Sequence, residues 1–498
     1  MLKILTSKQI KELDAYTILN EPIASIDLME RASEAFVNWF TIQFAAPRKI
    51  GIICGTGNNG GDGLAIARLL SELNYPVKIW IVRGSAPTTE DFKINFERIK
   101  GKLDMFDIVT TSDQGLFSDR DIVIDAIFGS GLSRPIEGIY EQAINCVNKS
   151  SAIKIAVDVP SGLFADQSSF GKIVKAAYTI SFQLPKLAFL LPENNSYVGD
   201  WKVVDIGLSR DFLKSADTSY FYLTRKDVKE KIHKREKFDH KGTYGHALLV
   251  AGSFGKMGAS VLSAKACLRA GVGLLTVHIP KSGYAIIQTS TPEAMASIDE
   301  HELFFSSELK LEQFASIGIG PGLGQSKETV NAFSKILKQG RPLVIDADGL
   351  NIFSSNPELI KLIPQGSILT PHPKEFERLV GSWQNDFERL EKQRKFSSDT
   401  KTVIILKGAH SSIATPDGKV YFNSTGNPGM ATGGSGDVLT GILTGLLAQG
   451  CSAIDAAIVG VYLHGLSGDF AAREKGQHSL IASDLIDFLP AAYKSIAN

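Results

Sequence analysis

Two successive series of short apolar strands, each strand running into a turn and a helix-patterned segment, constrain this chain more than any other feature. In the first series residues 50–54 form a strand that enters a Gly-rich turn and a helix over about 63–73. Residues 77–82, 122–124, 153–157 and 178–182 are further strands of that series. In the second series the strands are 247–250, 275–279, 316–319, 343–345, 367–369 and 403–406. Near-continuous Val/Ile runs separated by helices are strands buried on both faces, so each series predicts a parallel sheet with helices on both sides. A chain of 498 residues accommodates two large α/β units of this kind or three smaller ones.

Between the two series the texture changes. Residues 223–241 hold Arg225, Lys226, Lys229, Lys231, Lys234, Arg235, Lys237 and Lys241 against few acids. This stretch reads as a linker with a first surface helix, because no aromatic stacking platform accompanies the charge. Two domains are expected, 1–215 and 225–498.

Composition excludes several classes. Lys+Arg and Asp+Glu are both 53, which argues against nucleic acid or an anionic membrane held by bulk charge. No run of 18 apolar residues occurs, so no membrane span is expected. The N-terminal segment interrupts any apolar core with polar residues and does not read as a signal peptide. The four cysteines have no metal-ligand spacing and read as buried thiols in a reducing compartment, so a cytoplasmic location is expected. All nine histidines lie at His233 or later, so proton transfer in the first unit falls to carboxylates, Lys, Tyr or water.

The chemistry concentrates at strand ends. Cys54-Gly55-Thr56-Gly57-Asn58-Asn59-Gly60-Gly61-Asp62-Gly63 follows a strand and opens a helix. It fits the dinucleotide pattern GxGxxG, but Arg83 stands where that pattern places an acid. Glycines at a helix N-terminus let backbone N–H groups approach an anion, and packing alone would account for one or two of these five. Asp125 and Asp158 close two other strands and lead into Phe128-Gly129-Ser130-Gly131-Leu132 and Val159-Pro160-Ser161-Gly162. Ligands of open parallel sheets bind beyond such ends. Asn59, Asp125 and Ser161 offer oxygen ligands suited to a hard cation.

Together GTGNNGGDGL, DAIFGSGL and VDVPSG resemble the NAD(P)H-hydrate epimerase domain, over about residues 1–215. That resemblance implies a Rossmann-like α/β/α sandwich. It implies that Asn58, Asn59, Gly60, Gly61 and Asp62, with Gly129, Ser130, Gly131, Leu132, Ser133, Arg134 and Pro135, hold the hydrated dinucleotide. It implies K⁺ on Asn59, Asp125 and Ser161, and substrate contact by Asp158. The substrate carries a hydroxyl at C6 of the reduced nicotinamide ring, and inverting that centre needs proton transfer. Asp158 is the expected base, with Lys186 either its helper or a surface lysine.

In the second series the densest signal is Gly429-Met430-Ala431-Thr432-Gly433-Gly434-Ser435-Gly436-Asp437 before an apolar helix. Backbone N–H groups of such a loop form an anion hole for a transferring phosphoryl group, and Asp437 can take a proton from a hydroxyl or simply cap the helix. This GxGD arrangement resembles the ribokinase-like superfamily. The series Lys256-Met257-Gly258-Ala259, Gly320-Pro321-Gly322-Leu323-Gly324, Asp346-Ala347-Asp348-Gly349, Thr370-Pro371-His372-Pro373 and Lys407-Gly408-Ala409-His410-Ser411 is similar to the NAD(P)H-hydrate dehydratase domain, over about 225–498. The resemblance implies hydrate contacts from Ala259, Gly322, Gly324, His372 and Asp437. It implies nucleotide contacts from Lys407, Gly408, Ala409, His410, Ser411 and Gly436. Some family members carry a small residue where His410 stands. Mg²⁺ is expected here, with Asp346 and Asp348 either placing it or orienting their loop. The fusion of the two domains points to ADP as the phosphoryl donor, although no residue separates ADP from ATP.

The implied function is repair of NADH and NADPH hydrates (NADHX and NADPHX): epimerisation of the R and S forms, then dehydration of the S form at the expense of ADP. The expected partners are those small molecules and further copies of the chain in a homo-oligomer, without nucleic acid or membrane. The alternative is a ribokinase-like small-molecule kinase fused to a non-catalytic Rossmann-like binding domain.

Overall fold

The structure, a computed structural model, describes residues 1–84, 88–108 and 115–497. The chain forms two compact units, one of Leu2–Thr218 with Asn385–Phe387 and the other of the remaining residues.

The first unit is built on a parallel seven-stranded sheet. Its spatial order is Asp104–Ile108, Val77–Val82, Ile50–Cys54, Ile122–Ala126, Ile153–Val157, Tyr178–Phe182 and Asp200–Val204. The strand order therefore reverses between Ile50–Cys54 and Ile122–Ala126, which opens a crevice at their carboxyl ends. Alternate side chains of these strands go to opposite faces. Ile50, Ile52 and Cys54 join one apolar cluster with Leu64 and Phe36, while Ile53, Trp80 and Val123 join another with Ala143 and Val147. These two cores on one sheet make the three layers of the sandwich.

The second unit carries a larger sheet. Its order runs Tyr220–Tyr222, Val420–Phe422, Ser412–Ala414, Val403–Leu406, Ile368–Leu369, Val344–Ile345, Ser316–Ile319, His246–Val250, Leu274–Ile279 and Met295–Ile298. From Met295–Ile298 to Val403–Leu406 the pairing is parallel. The expected all-parallel sheet ends there, because Ser412–Ala414 pairs antiparallel with both neighbours. A short connection joins these strands, and only antiparallel strands can be joined that way.

Two further differences bear on the sites. The first Gly-rich helix spans Asn58–Glu72 and so begins five residues before the expected position, with glycines inside its first turns. Leu223 and Val228 are fully buried in the core of the second unit, so the basic stretch begins as a packed element and not as a solvated linker. Within it, Arg225–Lys229 is a short helix started by a Thr224/Asp227 capping box.

Candidate functional site

The first site is held together by hydrogen bonds between loops at the carboxyl ends of three strands. Asp125, fully buried, closes Ile122–Ala126. Its carboxylate accepts from Ser161 Oγ at 2.6 Å, from the Ser161 amide at 2.8 Å and from the Ile127 amide at 3.3 Å. Ser161 Oγ in turn accepts from the Phe128 amide at 2.9 Å. A side-chain carbon at Gly129 would stand 3.0 Å from Asn59 Oδ1, which brings Asn59 against the start of the loop at Gly129. The Ser130 amide donates to Asp158 Oδ2 at 3.3 Å. Asn59, Asp125, Gly129, Ser130, Asp158 and Ser161 thus form one connected set. Asn58, Ser133, Arg134 and Pro135 are exposed at its rim.

Asp158 has a left-handed backbone (φ 62°), a conformation that costs a non-glycine residue of order 1–3 kcal/mol. Its Oδ1 lies 2.8 Å from Lys186 Nζ and accepts from the Phe182 amide at 3.2 Å. Lys186 is no surface lysine: it is buried, and its ammonium also donates to Ser181 Oγ, Phe182 O and Leu184 O. Burial pushes the Asp158 carboxyl up, but Lys186 and the donors from Ser130 and Phe182 outweigh it, and the group titrates below its ordinary range. Asp62 moves the other way. Burial, then the charges of Asp158 and Asp14, hold it well above the ordinary carboxylate range.

Most of the glycines here are packing residues. A side-chain carbon at Gly60 would meet Gly55 O at 1.9 Å, at Gly55 it would meet Ile127 O at 2.3 Å and at Gly63 Ala126 Cβ at 2.6 Å, whereas Gly61 faces only the flexible end of Met29 and Gly57 has open space. Close packing therefore accounts for three of the five, not one or two.

The cation reading has a structural test. Asn59 Nδ2 is buried without a hydrogen-bond partner, and the buried Asp125 carboxyl is pushed up to about 6 by desolvation. An amide turned to present its oxygen, beside a buried carboxylate and the Ser161 hydroxyl, gives the hard oxygen donors that K⁺ needs. Among the described residues no group of three or more His, Cys, Asp or Glu is arranged to hold a metal.

The second site gathers around Asp346, at the end of Val344–Ile345. Its carboxylate lies 2.9 Å from Lys407 Nζ and accepts from Thr440 Oγ1 at 3.0 Å. A side-chain carbon at Gly436 would be 3.3 Å from both Asp346 Oδ2 and Lys407 Nζ. The Lys407 amide donates to Pro371 O at 3.0 Å, tying residues 407–411 to the His372 loop. Gly434 takes φ 90° immediately before the helix Ser435–Ala448, a backbone turn that glycine makes without strain. Asp437, in the first turn, is pushed up to about 6 by burial and then by Asp346.

Asp348 holds the other half. It accepts from the Gly324 amide at 2.9 Å and from Lys256 Nζ at 3.3 Å. A side-chain carbon at Gly322 would stand 3.1 Å from Ala259 Cβ. Ala259, Gly322, Gly324 and Asp348 are therefore neighbours. Between the two acids, Ala347 sits at φ 49°.

The histidines have structural work. His372 caps the helix Pro373–Val380, its Nδ1 accepting from the Lys374 and Glu375 amides. Its Nε2 lies 3.4 Å from Glu375 Oε1, and burial pulls its titration down. His410 Nδ1 lies 3.2 Å from Asn423 O, and its ring meets Tyr222 edge to face. Gly408 and Ala409 are exposed, and Ser411 closes their loop by hydrogen bonds with Gly408. Sequence reasoning missed Asp14, whose charge bears on Asp62, and Glu375, Thr440 and His464 around the second site. His464 Nε2 lies 2.9 Å from Ser435 O, beneath the Gly433–Gly436 turn.

The fold and its sites define a two-unit α/β enzyme with Gly-rich, carboxylate-bearing loops at the carboxyl ends of both sheets. The family model described as "NAD(P)H-hydrate dehydratase" matches residues 247–491, and that described as "YjeF-related protein N-terminus" matches residues 25–188. A bifunctional NAD(P)H-hydrate repair enzyme of Moorella thermoacetica is 38% identical, over 99% of this chain and 97% of its own. A ribokinase-like superfamily protein of Enterococcus faecalis is 29% identical, over 57% of this chain and 98% of its own, with a TM-score of 0.51. An ADP/ATP-dependent NAD(P)H-hydrate dehydratase of Bacillus subtilis, co-crystallised with ATP and Mg²⁺, is 33% identical, over 55% of this chain and 98% of its own, with a TM-score of 0.49. The chain belongs to the family of bifunctional NAD(P)H-hydrate repair enzymes. Among its described residues no helix is long and apolar enough to cross a membrane.

Proposed function

We propose that the protein repairs hydrated nicotinamide dinucleotides in two steps. The first unit interconverts the R and S forms of NADHX and NADPHX, and the second dehydrates the S form with ADP as phosphoryl donor. The observation that carries this reading is the joining of Asn59, Gly129, Asp158, Ser161 and Asp125 into one site in a chain whose second unit holds the GxGD turn.

In the first unit Asp158 is the base, kept ionised by Lys186. Residues 58–62 and 129–135 flank it and hold the dinucleotide. Asn59, Asp125 and Ser161 hold K⁺, which neutralises a carboxylate otherwise buried without a cation. In the second unit Asp437 takes the proton of the C6 hydroxyl as that oxygen is phosphorylated, and its high titration matches such a base to neutral pH. The amides of Gly433, Gly434 and Gly436 stabilise the charge that develops on the phosphoryl group. Elimination then restores the dihydronicotinamide. Asp346 and Asp348 already hold ammonium groups of Lys407 and Lys256. Mg²⁺, which supplies charge neutralisation at the phosphates, would therefore rest largely on the nucleotide. The protein acts in the cytoplasm as a homo-oligomer.

The test uses mixed hydrates with ADP, K⁺ and Mg²⁺, following absorbance of the reduced ring. Full recovery is expected. A stall once the S form is consumed removes the epimerase assignment, and no recovery with ADP or ATP removes the dehydratase assignment.

A further inference from the structure

The helix Ser7–Asn20 carries no motif and precedes the residues 25–188 that the family model matches. It nonetheless lies on the first site. The Ser7 amide donates to Asp166 Oδ2 at 2.7 Å, in the loop that follows Ser161. Thr17 Oγ1 accepts from the Ser209 amide at 3.0 Å. Leu13 is buried in an apolar cluster with Leu184, which Phe182 joins at its edge. The Phe182 amide donates to Asp158, and Leu184 O accepts from Lys186, so the residues beneath Leu13 are those that hold the Asp158–Lys186 pair. Toward the start of the helix, Lys11 reaches residue 131: a side-chain carbon at Gly131 would stand 3.4 Å from Lys11 Nζ. Lys11 and Asp14 are three residues apart and neighbours on one helix face. No described residue hydrogen-bonds to the half-buried Asp14 carboxyl. Burial, then the charge of Asp158, push it up to about 6, with Lys186 opposing.

We propose that this helix is a third wall of the epimerase site and that Asp14 is the proton-donating partner of Asp158. The inference rests on the epimerase reading of the first unit. Asp14 gives its proton to the C6 hydroxyl. The C6–O bond breaks with its electron pair leaving on water, and the ring nitrogen lone pair forms N=C6. Water adds at the opposite face, the N=C6 pair returns to nitrogen, and Asp158 takes the proton that the added water loses. One water leaves and one enters, and the proton passed from Asp14 to Asp158 returns between them before the next turnover. The site separates the two titrations as such an exchange requires: Lys186 keeps Asp158 ionised, while burial and Asp158 raise Asp14 to about 6, so that a protonated and an ionised carboxyl face each other up to that pH. The charged groups facing Asp14 are Asp158 and Lys186 from their loops, Asp62 from the helix Asn58–Glu72, and Lys11 on its own helix.

The experiment is Asp14→Asn in the full chain, with R-to-S interconversion and dehydration of the pure S hydrate measured side by side. Epimerisation should fall about 100-fold or more in kcat. Dehydration should be unchanged. The unaltered protein should lose epimerase rate as pH rises through about 6, where Asp14 deprotonates, and the variant should lack that limb. Lys11→Ala should raise KM with little change in kcat. An unchanged rate and pH profile in Asp14→Asn, with Asp158→Ala inactive, overturns the proposal. Full activity of Asp158→Ala would instead move the base elsewhere, and a lack of R-to-S interconversion by the unaltered protein would remove the epimerase reading beneath it. Should Asp14→Asn fail to fold, Asp14→Ser carries the same comparison.

Discussion

Lys186 Nζ lies 2.8 Å from Asp158 Oδ1, and the lysine side chain is only 1% exposed. Each charge is tolerable in the interior because of the other, and losing one partner strands the second.

Lys186→Met should therefore damage both chemistry and stability. Without the ammonium, burial is opposed only by the donors from Ser130 and Phe182, so Asp158 titrates higher and loses the partner that orients it. Epimerisation should be lost, and the first unit destabilised by about 3–5 kcal/mol at pH 7. The folded Asp158 titrates below its ordinary 3.8, so its contribution is present above that value and is lost as pH falls through the lower folded one. Melting curves of the two proteins should differ most at neutral pH and converge in strong acid. Equal melting at pH 7 would contradict the account.

Asp125 makes the opposite prediction. Its carboxyl is raised to about 6 by burial, so the stability it contributes is full below 3.8 and lost as pH rises through about 6. A cation bound beside it reverses that loss. At pH 7.5 the first unit should melt higher in KCl than in choline chloride of equal ionic strength. K⁺ at 100 times its dissociation constant should add about 2.7 kcal/mol. Asp125→Asn should abolish the difference, and a K⁺ effect that survives it places the ion elsewhere.

Gly60→Ala probes packing without touching charge. The added carbon would stand 1.9 Å from a backbone oxygen, which cannot rotate away as a side chain can. Overpacking of this kind costs about 1–3 kcal/mol, and the helix must shift to relieve it. Urea denaturation should show that loss. Epimerase KM should rise with it, because the same helix carries Asn58, Asn59 and Asp62.

Much of the fold was legible because buried parallel strands announce themselves. Residues 50–54, 77–82, 153–157 and 178–182 are short segments rich in β-branched and aromatic residues, and all form strands with those bounds. Asp104–Ile108 was not readable, because this edge strand carries two acids in five residues and leaves Phe106 exposed, so no apolar run marks it. The early start at Asn58 was hidden because glycine has poor helix propensity, and here tertiary packing overrides it. At the sites the loops were legible through their glycines and acids. Asp14 was not, since the residues that shift it, Asp158 and Lys186, lie far along the chain and share no spacing with it. The burial of Lys186 was equally invisible, because the carboxylate that makes it tolerable, Asp158, lies 28 residues earlier on another strand end.

Asp437 separates the two activities. Its carboxyl titrates near 6 because it is buried and faces Asp346 and, more weakly, Asp348, with Lys407 opposing. A base of this kind works only when ionised, so the dehydration rate should rise as pH passes through about 6 and then level. Asp437→Asn keeps the shape of the side chain and the start of the helix Ser435–Ala448, yet cannot accept the proton. Its dehydration kcat should fall by about 10²–10⁴ while R-to-S epimerisation continues at the original rate. Asp437 is a carboxylate that burial and Asp346 disfavour, so the substitution should leave the second unit equally or more stable at pH 7. A variant that dehydrates at full rate would reduce Asp437 to a helix cap, and one that loses both activities would point to unfolding, which thermal melting would register.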